Sequence, residues 1–400
     1  MTGRRTTLFL TCLICLALSG CSWTTPQQNN LFIDVSNMEA IPLSINQNVQ
    51  DTEVLLEEGV IVKKESILNA QDKDLADADC FALETVVRNK DYEFLRTSYS
   101  EVMAQFPYRN QIYMSSLQQD NKALIYDTSE AYWINEMRAN DNYLYWLEHL
   151  NGETDICYRV MQYQLDSGKI NCIAERNGGE VFEPCMEVSD RFLTWYDIFR
   201  DGSVETTVFD IEKQEFMARK NIEDITGGFV TLYGPYERLK LVDDCITYFL
   251  ENEEGRLYVR RENLCTGQTS TLSLGDKKQY RKLAGCFSDQ RYIGWHTEYG
   301  WGNYYFYDMD KGELYSWDVK KDEMCVFSKF FSSGRLYINN SEDDSVYAWE
   351  LDKGQIYRQG YGDGTGMQFG QFGEGQLDLE VRFDDRVELL TLCEDGLFFE

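Results

Sequence analysis

Histidine is almost missing from this sequence: His149 and His296 are the only two among 400 residues. Two imidazoles cannot build a three-histidine zinc site, and no HExxH pair occurs. A Ser-His-Asp nucleophile lacks its usual Gly-x-Ser-x-Gly elbow, and neither a Walker loop nor a GxGxxG turn in a strand-helix context is present. Positive charge is scarce, with 38 basic against 68 acidic residues and a net charge of -30. Nucleic acid is therefore disfavoured as a partner, because its phosphates need a basic surface, and so is an anionic membrane surface. A cationic or peptide partner and weak calcium binding suit that charge, which also serves plain solubility. The acidic runs 72–79 and 342–344 lack the spacing of a calcium hand. No metal or cofactor is expected. Beyond the first twenty residues, no apolar run is long enough to cross a bilayer.

Cysteine is present without a metal pattern. Twelve occur, and none of those after residue 21 forms a CxxC pair. Cys80, Cys157, Cys172, Cys185, Cys245, Cys265, Cys286, Cys325 and Cys393 make an odd set that cannot all pair. Their apolar neighbours suggest mostly free, buried thiols, with one or two disulfides open as an alternative.

The amino terminus is informative. Arg4-Arg5 precede the apolar stretch Leu8–Ala17, and Leu18-Ser19-Gly20-Cys21 follows. This resembles a bacterial lipoprotein signal, with the lipobox matched at all four positions. The resemblance implies cleavage between Gly20 and Cys21, acylation of the Cys21 thiol, and anchoring at the extracytoplasmic face of the cell membrane. Two or more acyl chains give stable anchoring where one is marginal. The polar, uncharged run 22–30 reads as a tether to a body spanning 31–400.

That body repeats itself. An aromatic or apolar residue, an acidic residue and a turn ending in Gly recur in Tyr163–Lys169, Tyr307–Glu313 and Trp349–Gln355, with weaker copies elsewhere. Anchoring on the Gly or its equivalent gives positions 121, 168, 214, 267, 312, 354 and 396, a spacing of about 40–50 residues that marks propeller blades. A second motif keeps phase with the first: Tyr145-Trp146, Thr194-Trp195, Tyr248-Phe249, Gly294-Trp295 and Tyr337-Ile338. Flanking segments such as Asn303–Tyr307 have strand composition. The expected fold is all-β: a propeller of four-stranded blades, seven favoured and six or eight the alternatives. Phe287–Trp295 followed by Tyr307–Glu313 resembles the TolB-type, WD40-like repeat, without the usual Pro and Gly of its first turn.

A last blade left incomplete would expose a strand edge. A strand within 31–65 is expected to close it, which would seat the lipid beside the sealing blade. The glycine-rich run 360–375 reads as a long inter-blade loop. Candidate binding residues are Trp295, His296, Tyr299 and Trp301, where aromatics cluster, with Tyr361 and Asp363 in the glycine run. No catalytic residue stands out. The expected function is a lipid-anchored, non-enzymatic binding or scaffold module for a protein, peptide or glycan. The alternative is an extracytoplasmic hydrolase, for example a glycoside hydrolase, using paired carboxylates in the channel.

Overall fold

The computed structural model describes residues 30–45, 49–51, 56–68, 81–99, 109–119, 122–128, 132–150, 156–180, 185–198, 204–217, 239–252, 254–276, 283–298, 300–332, 334–373 and 376–393. Gly20, Cys21 and Tyr299 lie outside them.

The chain first lays down a strap of short strands, β1 (Leu31–Asp34), β2 (Ile41–Leu43), β3 (Val49–Asp51) and β4 (Leu56–Lys63), followed by a helical turn α1 (Lys64–Leu68). Blade 1 is β5 (Phe81–Arg88), β6 (Tyr92–Tyr99), β7 (Arg109–Ser116) and β8 (Lys122–Asp127). Blade 2 is β9 (Tyr132–Ala139), β10 (Tyr143–Leu150), β11 (Ile156–Gln164) and β12 (Lys169–Glu180). Blade 3 is β13 (Met186–Val188), β14 (Phe192–Ile198), β15 (Val204–Asp210) and β16 (Glu215–Phe216). Blade 4 is β17 (Leu239–Val242), β18 (Cys245–Glu251), β19 (Arg256–Asn263) and β20 (Thr269–Asp276). Blade 5 is β21 (Leu283–Ser288), β22 (Tyr292–Thr297), β23 (Asn303–Asp308) and β24 (Glu313–Asp318). Blade 6 is β25 (Val326–Ser332), β26 (Arg335–Asn340), β27 (Ser345–Glu350) and β28 (Gln355–Gly360). Blade 7 takes only β29 (Thr365–Gly373), β30 (Gln376–Arg382) and β31 (Arg386–Cys393) from its own stretch of chain, and β4 pairs antiparallel with β31 as its fourth strand. The molecule is a seven-bladed β-propeller.

In blades 2 to 6 the recurring motif is the turn between third and fourth strands, and the in-phase aromatic motif is the second strand; anchors 121 and 396 lie outside the described residues. Second strands are buried on both faces, so their side chains feed two neighbours alternately. In blade 3, Trp195 packs with Tyr145 and Tyr158 of blade 2, while Phe192 packs with Ile246 and Tyr248 of blade 4. Apolar layers of this kind fill all seven gaps between blades. The first turns of the blades add polar links. Asn89 Oδ1 accepts the Asp91 and Tyr92 amides at 3.0 and 2.8 Å, and its Nδ2 donates to the Asn140 carbonyl of the next blade at 2.8 Å. Asp289 repeats the device, accepting Tyr292 N at 2.6 Å and, through its other oxygen, Gly334 N of blade 6 at 2.5 Å.

The strap runs round the rim. β1, β2 and β3 add as parallel fifth strands to β20, β24 and β28, covering three edges before β4 completes blade 7. Val35 and Ile45 enter the layers below them, and Ser44 Oγ and Ile45 N donate to the buried Asp322 carboxylate at 2.7 and 2.8 Å. The Trp317 indole donates to the same carboxylate at 2.7 Å. The β4–β31 register skips around Gly59, where a Cβ would lie 1.5 Å from the Leu389 carbonyl oxygen. Only glycine tolerates that approach.

Three expectations change. The strap enters at blade 4, so its first described residues are three blades from the seal. The glycine-rich run is mostly not a loop: from Thr365 it is β29, the innermost strand of blade 7. Glycine suits the crowding there, since a Cβ on Gly366 would meet Asn339 Nδ2 at 2.6 Å. Of the seven described thiols, none in a disulfide, only Cys286 is buried, whereas Cys172 and Cys265 are exposed. Both histidines, by contrast, are buried.

Candidate functional site

Alternating strands give the ring two faces. One carries the turns joining first to second and third to fourth strands, and the other carries the remaining connections. On the turn face, three blades lock their two turns together with an ion pair. Arg191 meets Asp210 at 3.6 Å in blade 3, Arg291 meets Asp308 at 2.6 Å in blade 5, and Arg335 meets Glu350 at 3.2 Å in blade 6. Asp308 also caps its own turn, accepting the Asp310 and Lys311 amides at 3.0 and 3.1 Å. Arg291 therefore holds the Asp308 carboxyl below its usual range even though burial pushes it upward.

Blade 2 has the same backbone geometry without the clamp. Leu165 N donates to Asn142 O at 3.0 Å, as Ile211 N donates to Arg191 O at 2.8 Å in blade 3. The side chains in the clamp positions are Asn142 and Gln164, both shorter or neutral. Blade 1 also lacks the pair, with Asp91 and Ser116 at these positions. Blade 4 carries Asp244 and Asn263 there and lacks it too. A groove of about 640 Å³ lies across blades 1 to 3, between the unclamped turns of blades 1 and 2 and the clamped turns of blade 3. It is lined by Tyr92, Tyr143, Asn140, Asn142 and Gln164. Four acidic residues complete the lining: Asp141, Asp166, Asp190 and Glu212. None of the lining residues is cationic. Lys90 reaches Asp141 at 2.5 Å and Arg191 meets Glu212 at 3.6 Å, but Lys90, Asp141 and Glu212 are well exposed, so these contacts are weak and salt-sensitive.

On the innermost strands of blades 2 to 4, two acids are paired with cations. Glu136 pairs with Arg138 on β9 and accepts the Met186 amide at 2.8 Å, while Glu187 on β13 meets Lys240 on β17 at 2.6 Å. Burial raises the Glu136 carboxyl against the pull of Arg138.

At the seam between blades 7 and 1, Arg88 grips Asp378 through two bonds of 2.6 and 2.8 Å, and Glu380 accepts the Val86 amide at 3.2 Å. Burial pushes Asp378 up to about 6 and Glu380 up to about 7. A carboxyl whose folded pKa exceeds its unfolded value binds protons more tightly when folded. Its contribution is complete below the unfolded pKa and disappears as pH rises through the folded one. Wild-type stability is therefore expected to decline from pH 5 to pH 8. Glu380→Gln keeps the acceptor for Val86 and should be more stable than wild type at pH 8 by about 2 kcal/mol. Thermal melts at both pH values test this, and an equal pH dependence in the two proteins would refute it.

The residues singled out by sequence do not form one site. Trp295 is buried and stacked on Tyr305 at 5.3 Å, and His296 is buried and stacked on Tyr304 at 4.9 Å with Nε2 3.0 Å from Lys329 Nζ. Both belong to the interior of blade 5 and its neighbours. Trp301 is exposed in the β22–β23 turn. Asp363 is exposed and Tyr361 half-buried in the β28–β29 connection, where the Tyr361 hydroxyl donates to Asn339 Oδ1 at 2.9 Å. These three share the face opposite the groove but sit on different blades. The groove left one trace in sequence, the absence of arginine at 142 and of an acid at 164, and it is visible only once the turns are aligned in space.

No family model and no curated protein matches the chain. Among solved structures, it is similar to the β-propeller domain of the Trilobed protease from Pyrococcus furiosus (TM-score 0.55, 12% identity, covering 78% of this chain and 95% of that one). That domain is described as having an open velcro topology; here β4 completes blade 7. The chain is also similar to a prolyl endopeptidase (TM-score 0.51, 9% identity, 78% of this chain), of which it spans only 50%. At such identities the likeness establishes the fold alone.

Proposed function

We propose that this protein is a lipid-anchored extracytoplasmic propeller that binds a polypeptide through basic side chains seated in the turn-face groove. The observation that carries the reading is the groove itself, which runs over the unclamped turns of blade 2 and is lined by four acidic residues, three amide residues and two tyrosines. Carboxylates and ring faces together suit lysine and arginine. The lipobox at Leu18–Cys21 supports the address, and the ion pairs on the innermost strands support binding over hydrolysis. Exposed ion pairs contribute about 0.2–1 kcal/mol each, so the affinity should be modest and should fall with salt.

The test restores the missing clamp. The double substitution Asn142→Arg with Gln164→Asp copies blade 3 and places a guanidinium across the groove. Titrated with an oligolysine peptide, it should bind at least about tenfold more weakly than wild type at an unchanged melting temperature. Equal affinity in both proteins, or equal binding of an oligoglutamate peptide by wild type, would end the proposal.

A further inference from the structure

Large apolar side chains are seldom left on the surface of this ring, and they are unevenly spread. Eight are exposed among the described residues, and three of them, Leu31, Phe32 and Ile41, fall within the first eleven residues of the strap. Phe32 is the most exposed of the eight at 64%, and its ring leans on Tyr258 of blade 4 at 6.2 Å. Neighbouring strap residues turn inward instead: Ile33 packs against the blade 4–5 layer and Val35 is buried in it. The exposed residues therefore lie on the outer edge of the rim, over blades 4 and 5.

Their place in the chain suggests what covers them. Residues 22–30 separate Cys21 from Leu31. Nine residues reach at most about 32 Å when fully extended and much less as a coil. With Cys21 acylated, the rim at blade 4 is held within reach of the headgroups, with Leu31 and Phe32 first in line. Phenylalanine and leucine beside an anchor add apolar burial in the interface, as they do on amphipathic membrane-surface elements. β1 enters beside β20 from the turn face, so this edge also fixes which way the groove looks.

We infer that the rim of blades 4 and 5, presented by Leu31, Phe32 and Ile41, rests on the lipid surface and holds the ring on edge, with the turn-face groove opening along the membrane. This rests on the lipoprotein reading of Cys21. The net negative charge of the body makes neutral headgroups the fitting surface.

Photo-crosslinking decides it. The full acylated chain is placed in phosphatidylcholine vesicles with p-benzoylphenylalanine at position 32 or 41, or at the control positions 216 and 301. Phe216 and Trp301 are also exposed, on blade 3 and on the opposite face of blade 5. Lipid adducts at 32 and 41 should exceed those at the controls at least tenfold. Equal adducts at all four positions would overturn the inference, as would protein adducts at 32 in place of lipid. The mass of the Cys21 peptide from the same sample reports acylation independently. An unmodified Cys21 would remove the lipoprotein reading, whereas an acylated Cys21 without adducts at 32 and 41 would remove the rim contact alone.

Discussion

A chain lacking residues 31–63 is expected to lose its cooperative thermal transition and to aggregate. Blade 7 has no fourth strand of its own among the described residues, and β4 supplies it through pairing that runs from Arg386↔Lys63 to Leu392↔Leu56. Val62 is completely buried, and with Ile67 it sits in the layer formed by Val387 and Leu389 of blade 7 and Val86, Leu95 and Tyr113 of blade 1. Burying a Val or Ile side chain is worth about 1.5–3 kcal/mol each. Loss of β4, together with Val35 and Ile45, should therefore cost more than about 5 kcal/mol, a large part of a domain's net stability. The edge of β31 and three further rim edges would then lie bare, which is a route to intermolecular strand pairing. Circular dichroism melts and gel filtration report both effects. A melting temperature within about 2 °C of wild type would show that the ring closes without the strap. Val62→Asp provides a full-length counterpart, because it buries an unpaired carboxylate in the same layer and should be nearly as damaging.

Arg88→Met should cost about 3–5 kcal/mol, since it strands the Asp378 carboxylate in a buried seam. Arg88 and Asp378 expose only 10% and 7% of their side chains, so solvent cannot replace the lost partner. Asp378 would then keep only Thr391 as a hydrogen-bonding side chain, at 2.8 Å. Removing both charges with Arg88→Met and Asp378→Leu should recover much of the loss, because the desolvation cost disappears with the pair. Urea denaturation of the four members of this cycle gives the coupling directly. Additive losses in the double variant would show that the two side chains act separately.

Much of the fold was legible in the residues. The turns at Gly168, Gln214, Gly267, Gly312 and Gly354 all lie between third and fourth strands, and Trp146, Trp195 and Trp295 all lie on second strands. Periodic turn chemistry is local, so it survives in sequence. The closing strand was also legible, because Val60-Ile61-Val62 has strand composition and the last blade needed an edge partner. The glycine-rich run misled for a physical reason. Glycine marks loops by conformational freedom, but around Gly366 it answers to side chains of blade 6 that approach within a Cβ radius. His296 misled similarly. A polar residue after a tryptophan resembles a ligand contact until Tyr304 and Lys329 are seen to enclose it. Asp322 gave no signal, because its partners Ser44 and Ile45 lie 278 and 277 residues away.

The sequence by itself determined the class of the fold, the period of its blades, and the recurring turn and aromatic strand that mark them. These depend on residue type and on spacing within one blade. Tertiary structure alone decided where the strap enters, which blades' turns wall one groove, and which aromatics are core. Those features arise between blades, where residues far apart in the chain meet. The groove is walled by Tyr92 of blade 1, Asn142 and Gln164 of blade 2 and Asp190 and Glu212 of blade 3, and nothing in any of these residues alone announces the meeting.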